Sequence, residues 1–279
     1  MSKKLYQSLQ SSLPKAARAP FVDYNSSITD ILKQCAFDQY LWTLRNPLQV
    51  CWMLSIRKHH LPTSRVGSSY VRSADWSFLL LVAREVFTPD NNPSDIGLSE
   101  ACYDFLALWP CIRASVSGLG SELGNAKFLP GEIYLRAIDE VRKLRHQLES
   151  HMKVDGVVQI DFSEIELLSM EVTGHHGLRD KNRAGWDHIK GTHAALAMLS
   201  RIAYIFMHGS VELFQDVKVA FVHAHGTSLH LWLFNMSTPG IFVMQRVAKA
   251  TVPAKFGEAL LLCELINFLW TLRVESQRQ

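Results

Sequence analysis

The chain has 279 residues, 48% of them apolar and 20% charged, with a formal net charge of +3. That size and balance describe a globular protein of one large or two small domains and exclude a disordered chain. The mild positive charge permits a nucleic-acid partner without demanding one, because local basic faces count for more than the sum.

Residues 1–27 are polar, carry Pro14 and Pro20, and read as a loose arm with no apolar stretch of signal-peptide type. The longest apolar runs, 78–83 and 259–272, are short or interrupted by charge, so no membrane span is expected. Cys35, Cys51, Cys102, Cys111 and Cys263 are scattered and form no Cys-x-x-Cys pair. They read as reduced thiols in an intracellular compartment, nuclear or cytoplasmic, and argue against a ribbon-type zinc site.

From residue 28 to about 60 the apolar positions fall at helical spacing, with a break at Pro47. "SADWSFLLLVAREVF" (73–87) predicts a buried helix, "TPDNNPSDIG" (88–97) a loop, and "LSEACYDFLALWPCI" (98–112) a helix that Pro110 ends or kinks. The Gly-rich stretch 117–131 breaks the chain again. Residues 28–125 thus form a mainly helical region in which no motif carries chemistry. The segment 131–152 predicts a helix with Ile133, Leu135, Ile138, Val141, Leu144 and Leu148 on one stripe and Arg142, Lys143 and Arg145 on a basic side. Two short strands follow, 154–160 and 164–172, then a long helix over 182–207. Three antiparallel strands over 217–247 turn at Gly226-Thr227 and Pro239-Gly240, and a helix over 255–273 closes the chain. The expected fold class is α/β: a mixed sheet flanked by helices over 126–279, preceded by the helical region.

The strand pair carries an acid in each member. If it folds as a hairpin about Ser163, Asp155 falls opposite Glu171, and directly opposed side chains have Cβ atoms roughly 4.5–5.5 Å apart. Two carboxylates so placed repel unless a cation sits between them. Mg²⁺ or Mn²⁺, held by oxygen ligands, is the cation that phosphodiester hydrolysis uses to activate water and to offset charge on phosphorus. Gly156 would let a ligand approach the backbone. The plainer reading of the same residues is a loop aspartate and an edge-strand glutamate.

The element "KVDGVV…IELLSMEVTG", followed by "DHIKGTHAALAML", resembles the core of the PD-(D/E)XK nuclease superfamily, with its restriction-endonuclease-like fold. Within it the chain is similar, over about 130–275, to a group of fungal nuclease-like proteins from Mucor-like moulds, related to the enzymatic part of Crinkler-type proteins. The resemblance implies a metal-dependent nuclease acting on DNA or RNA, with Asp155 and Glu171 as metal-binding acids and a homodimer as the assembly that cuts duplexes. It also marks a departure: Thr173 stands at the position of the catalytic Lys. Lys190 on the following helix, or less favourably Lys153, is the candidate replacement. Glu140, ahead of Glu132, is the candidate helix acid. Arg142, Lys143, Arg145, Lys153, His175 and His176 are the candidate nucleic-acid contacts.

The histidines of "FVHAHGTSLHLW" raise a separate option. His223 and His225 share one side of a strand and His230 lies across the turn. They suit zinc or acid–base chemistry, or simply cap the strand ends. Two functions therefore stand side by side: a metal-dependent nuclease, and an inactive nuclease fold kept for binding nucleic acid or a protein.

Overall fold

The computed structural model describes residues 93–121, 124–146, 152–161, 163–254 and 261–277, together with Phe78, Leu81, Val82 and Glu258. The arm expected over 1–27, the helix over 28–60 and most of that over 73–87 lie outside the described residues, as do Cys35 and Cys51.

Among the described residues a mixed sheet of six strands runs in chain order: β2 (Gly124–Tyr134), β3 (Lys153–Ile160), β4 (Glu166–Thr173), β5 (Lys218–His225), β6 (Ser228–Thr238) and β7 (Ile241–Thr251), with the two-residue β1 (Gly120–Ser121) beside β2. Neighbours are antiparallel except β4 and β5, which are parallel. Parallel strands need a crossover. Here it is the long helix α4 (Lys181–Ile205) with α5 (Val211–Asp216). The Asp180 carboxylate accepts the Arg183 N–H and starts α4.

The sheet has a helical layer on each face. On one face α4 and α3 (Arg136–Leu144) bury Ala137, Ala195, Met198 and Leu199 against Val157, Val219 and Phe221. On the other, α6 (Leu261–Gln277) and a helix near the start of the described chain bury Leu108, Ile112, Leu265 and Phe268 against Leu168, Met170 and Val222. Strand alternation sorts β4: Leu168, Met170 and Val172 go to the second layer, Glu171 and Thr173 toward α4.

That early helix has three parts: α1 (Glu100–Tyr103), a π-helical turn (Asp104–Leu108) and α2 (Trp109–Val116). Pro110 was expected to end or kink it, yet the helix continues. Proline offers no N–H to the preceding turn, and the π turn widens the ladder just before it, with the Trp109 N–H reaching Asp104 O.

Two expectations are corrected. The Gly-rich stretch 117–131 is not a simple break, because most of it enters β2. Nor is 131–152 one helix: β2 runs to Tyr134 and α3 covers only Arg136–Leu144. Pro130 and Gly131 (φ +99°) sit where the β2–β3 register shifts, a bulge that tolerates both residues. The helix starts at Arg136 because both oxygens of the buried Glu166 accept the N–H groups of Arg136 and Ala137, each at 2.8 Å.

Candidate active site

The strand pair keeps the expected hairpin register from Gly156 to Val158, beyond which a bulge shifts it by one. Gly156 pairs with Met170, so the next pair outward opposes Asp155 and Glu171. Asp155 Oδ2 accepts the Val172 N–H at 2.7 Å, and Trp109 Nε1 donates to Asp155 O at 3.2 Å. Gly156 does not admit a ligand. A Cβ there would stand 2.8 Å from the ring of Phe128, so the glycine makes room for the protein's own core.

Glu171 is 1% exposed. Its Oε2 accepts from Lys190 Nζ at 2.6 Å, while Oε1 is buried with no partner. Burial, then the nearby charge of Asp155, pushes its carboxyl up to about 9 against the pull of Lys190. Lys190 reaches Glu171 because α4 lies close on β5 at Gly191, where any Cβ would fall inside the ring of Phe221. The structure thus brings the cation of α4 to the acid of β4.

Thr173 is buried, and its hydroxyl fixes the local protonation pattern. Oγ1 lies 2.7 Å from Asp187 Oδ2 and 3.1 Å from His223 Nε2. The hydroxyl has one proton, which goes to the aspartate, so His223 Nε2–H must donate to Oγ1. Burial, with His225, His188 and His230 nearby, depresses His223 to about 3 and keeps the ring neutral. The result is a fixed relay, His223 to Thr173 to Asp187, that holds Asp187 beside Lys190 on the same helix face.

Two further acids come from the early helix, where no chemistry was expected. Glu100 Oε2 accepts the Gly174 N–H at 2.8 Å and pairs with Arg183. Asp104 is 6% exposed with Oδ1 unpartnered. Burial, then Asp155 and Glu100, pushes it up to about 8. Asp155 is itself raised, chiefly by burial, against the Val172 N–H and Lys190. A sequence signal for Asp104 exists: an aspartate between Tyr103 and the apolar Ala107 and Leu108 of one helical stripe.

Other expected site residues lie elsewhere. Glu140 binds Arg201 (2.6 and 3.3 Å) and Glu132 binds Lys153 (3.0 Å), so neither completes the acid cluster and Lys153 does not replace Lys190. Arg201 lies eleven residues beyond Lys190, about 16 Å along α4. Arg142, Lys143 and Arg145 lie at the C-terminal end of α3, with Lys143 and Arg145 exposed. A cleft of about 510 Å³ lined by Lys143, Arg201 and Tyr204 opens there. His176 turns inward: its Nε2 lies 3.1 Å from Val252 O and its ring packs edge-on against Tyr103. His175 Nδ1 lies 3.0 Å from His176 O.

Among the described residues no group of three or more His, Cys, Asp or Glu side chains has the arrangement of a metal site. Lys190 and the Val172 N–H take one oxygen each of Glu171 and Asp155. The chemistry of two carboxyls is nonetheless compatible with a cation. Glu171 and Asp104 are buried carboxyls with an orphaned oxygen apiece, and each is raised by burial and then by the charge of Asp155. Comparison with protein-family models, curated proteins and solved structures returns no match. Among the described residues no helix is long and apolar enough to cross a membrane.

Proposed function

We propose that the chain is a metal-dependent nuclease of restriction-endonuclease type, hydrolysing phosphodiester bonds in DNA or RNA. The carrying observation is the juxtaposition at Glu171: a lysine ammonium 2.6 Å from one oxygen, and a buried second oxygen with no partner. Asp155 and Glu171 are the residues that would hold Mg²⁺ or Mn²⁺. Such a cation, when bound, lowers the pKa of a coordinated water and offsets charge on the phosphoryl oxygens.

The chain's own groups do the rest. Lys190 supplies the positive charge that Thr173 cannot, steadying the anionic transition state or orienting the attacking water. Its delivery from α4 answers the departure at Thr173, since the ammonium group meets Glu171 from the helix instead of from the strand. Thr173 is a positioning residue, keeping Asp187 turned toward the cluster. Glu100 ties the start of the early helix to the end of β4, which keeps Asp104 near Asp155.

The test is incubation of the purified chain with duplex DNA, single-stranded DNA and RNA, with Mg²⁺, Mn²⁺ or chelator, beside Glu171→Gln. Products that need both metal and Glu171 support the proposal. A folded wild type that cuts none of these substrates overturns it, leaving a nuclease fold that binds without turnover.

A further inference from the structure

Outside the acid cluster, the α4 side of β5–β7 carries polar groups that cleavage does not use. His230 and Trp232 share that face, two residues apart on β6. Across the strand pairing, Lys249 stands opposite His230 and Arg246 opposite Trp232, both exposed on β7. Arg246 Nη1 lies 3.4 Å from His230 Nδ1. A guanidinium only donates, so Nδ1 accepts and the proton of the neutral ring is on Nε2. Burial, then His225 and the cations Arg246 and Lys249, holds His230 at about 4, so the ring is neutral at physiological pH. Its Nε2–H has no partner although the residue is 8% exposed. Trp232 Nε1–H, a donor only, is likewise buried and unpaired. Buried N–H groups left empty are costly, and a site that keeps two of them calls for an acceptor.

The surroundings specify an anion. The Arg246 guanidinium stands 5.7 Å over the Trp232 ring. From Val217 to Gly257 the chain contains no Asp or Glu. The patch also connects to the acid cluster through adjacent rings: Thr173 meets His223, whose ring centroid is 5.0 Å from that of His225, which stacks at 4.7 Å on that of His230.

We propose that His230, Trp232, Arg246 and Lys249 form a phosphate subsite that holds the backbone of a nucleic-acid strand leading away from Glu171 and Lys190. The identity of the ligand rests on the nuclease reading, whereas the subsite's preference for a phosphate oxyanion rests on the donors and charges themselves.

The experiment measures binding of a fluorescent single-stranded oligonucleotide to the full chain in chelator, where no turnover interferes. Arg246→Ala/Lys249→Ala, at exposed positions, should weaken binding at least ~10-fold and flatten the salt dependence by about 1.4 in log–log slope for two lost phosphate contacts. Trp232→Phe keeps an aromatic ring and removes the N–H, and should weaken binding about 3-fold. The Trp232 indole proton resonance should shift on oligonucleotide addition. Unchanged affinity and slope in the double variant overturn the subsite. So does an indole shift produced by inorganic phosphate at concentrations where the oligonucleotide does not bind, which would assign the site to a free phosphate. A wild type that binds through these residues but never cuts keeps the subsite and removes the nuclease reading. A wild type that cuts while the double variant binds unaltered does the reverse.

Discussion

Glu166 and Glu171 are buried glutamates on one strand, 4% and 1% exposed, and their surroundings give them opposite work. Glu166 has both oxygens filled by the first N–H groups of α3. Those bonds lower a pKa that burial raises. Glu171 has one oxygen filled by Lys190 and one empty, and the neighbouring Asp155 raises it further. A carboxylate that completes a helix cap supports the fold. One left short of partners beside another acid costs stability and marks a candidate functional group.

Substituting each by glutamine breaks the comparison most directly. Glu171→Gln should lower metal-dependent cleavage on the order of 10³-fold. The same change should raise stability by about 1–3 kcal/mol, because an amide is neutral in both states and avoids the cost of protonating, on folding, a carboxyl that is ionised in the unfolded chain. Glu166→Gln should do the opposite. With one acceptor oxygen for two N–H groups it should lose about 1.5–3 kcal/mol, with cleavage per folded molecule near wild type. Denaturant melts and cleavage assays on the same preparations check both, and two losses of stability would show that the strand ends do not differ in kind.

The two ends of α4 repeat the contrast. Lys190→Met should reduce cleavage about 10²–10³-fold. Arg201→Met, which breaks bonds to Glu140 and to Glu164 O at the far end, should cost about 1–3 kcal/mol of stability with little direct effect on turnover. Equal cleavage by wild type and Lys190→Met would remove the lysine from the mechanism.

Titration sharpens the difference further. The carboxyls of Glu171 and Asp104, raised to about 9 and 8, keep their protons in the folded chain while the unfolded chain ionises above about pH 4–4.5. The unfolded state therefore gains stability relative to the folded one as pH rises, and these groups subtract stability from about pH 4 up to 8–9. The melting temperature should fall across that window in wild type and fall less in Glu171→Gln. A cation that takes the ionised Glu171 carboxylate should release protons on binding, on the order of one at pH 7. Calorimetry of Mn²⁺ binding in buffers of different ionisation heat measures this, and binding without proton release would place the metal elsewhere.

The parts of this arrangement were unequally legible in the sequence. The register opposing Asp155 and Glu171 was readable because apolar alternation and a short turn specify a hairpin. Lys190 was a candidate only through the resemblance, which put Thr173 at the lysine position and pointed to the following helix for a replacement. Strand β2 was not, since "GNAKFLPGEIY" carries Gly and Pro that mark loops, and only pairing with β3 makes it a strand. Glu100 and Asp104 were missed because tertiary packing alone, through a π turn before Pro110, carries an early helix to the end of β4. Glu140 misled because its stripe is helical, but α3 starts at the Glu166 cap and faces the far end of α4.

The smallest predicted effect concerns Thr173, where the expected lysine is absent. Thr173→Val keeps the shape and removes the hydroxyl. His223 Nε2–H then loses its acceptor and Asp187 its donor, at a cost of about 1–3 kcal/mol. Asp187 becomes free to turn toward Arg183, 3.9 Å away. Lys190 and Glu171 stay paired, so cleavage should fall only about 3–10-fold, the scale of a positioning contact whose loss costs about 1 kcal/mol. Thr173→Ser, which restores the hydroxyl, should recover it. Because His223 is held neutral, the pH profile of cleavage should not move between wild type and Thr173→Val. A shifted profile would mean that the hydroxyl or the histidine passes a proton during the reaction and that the relay belongs to the chemistry itself.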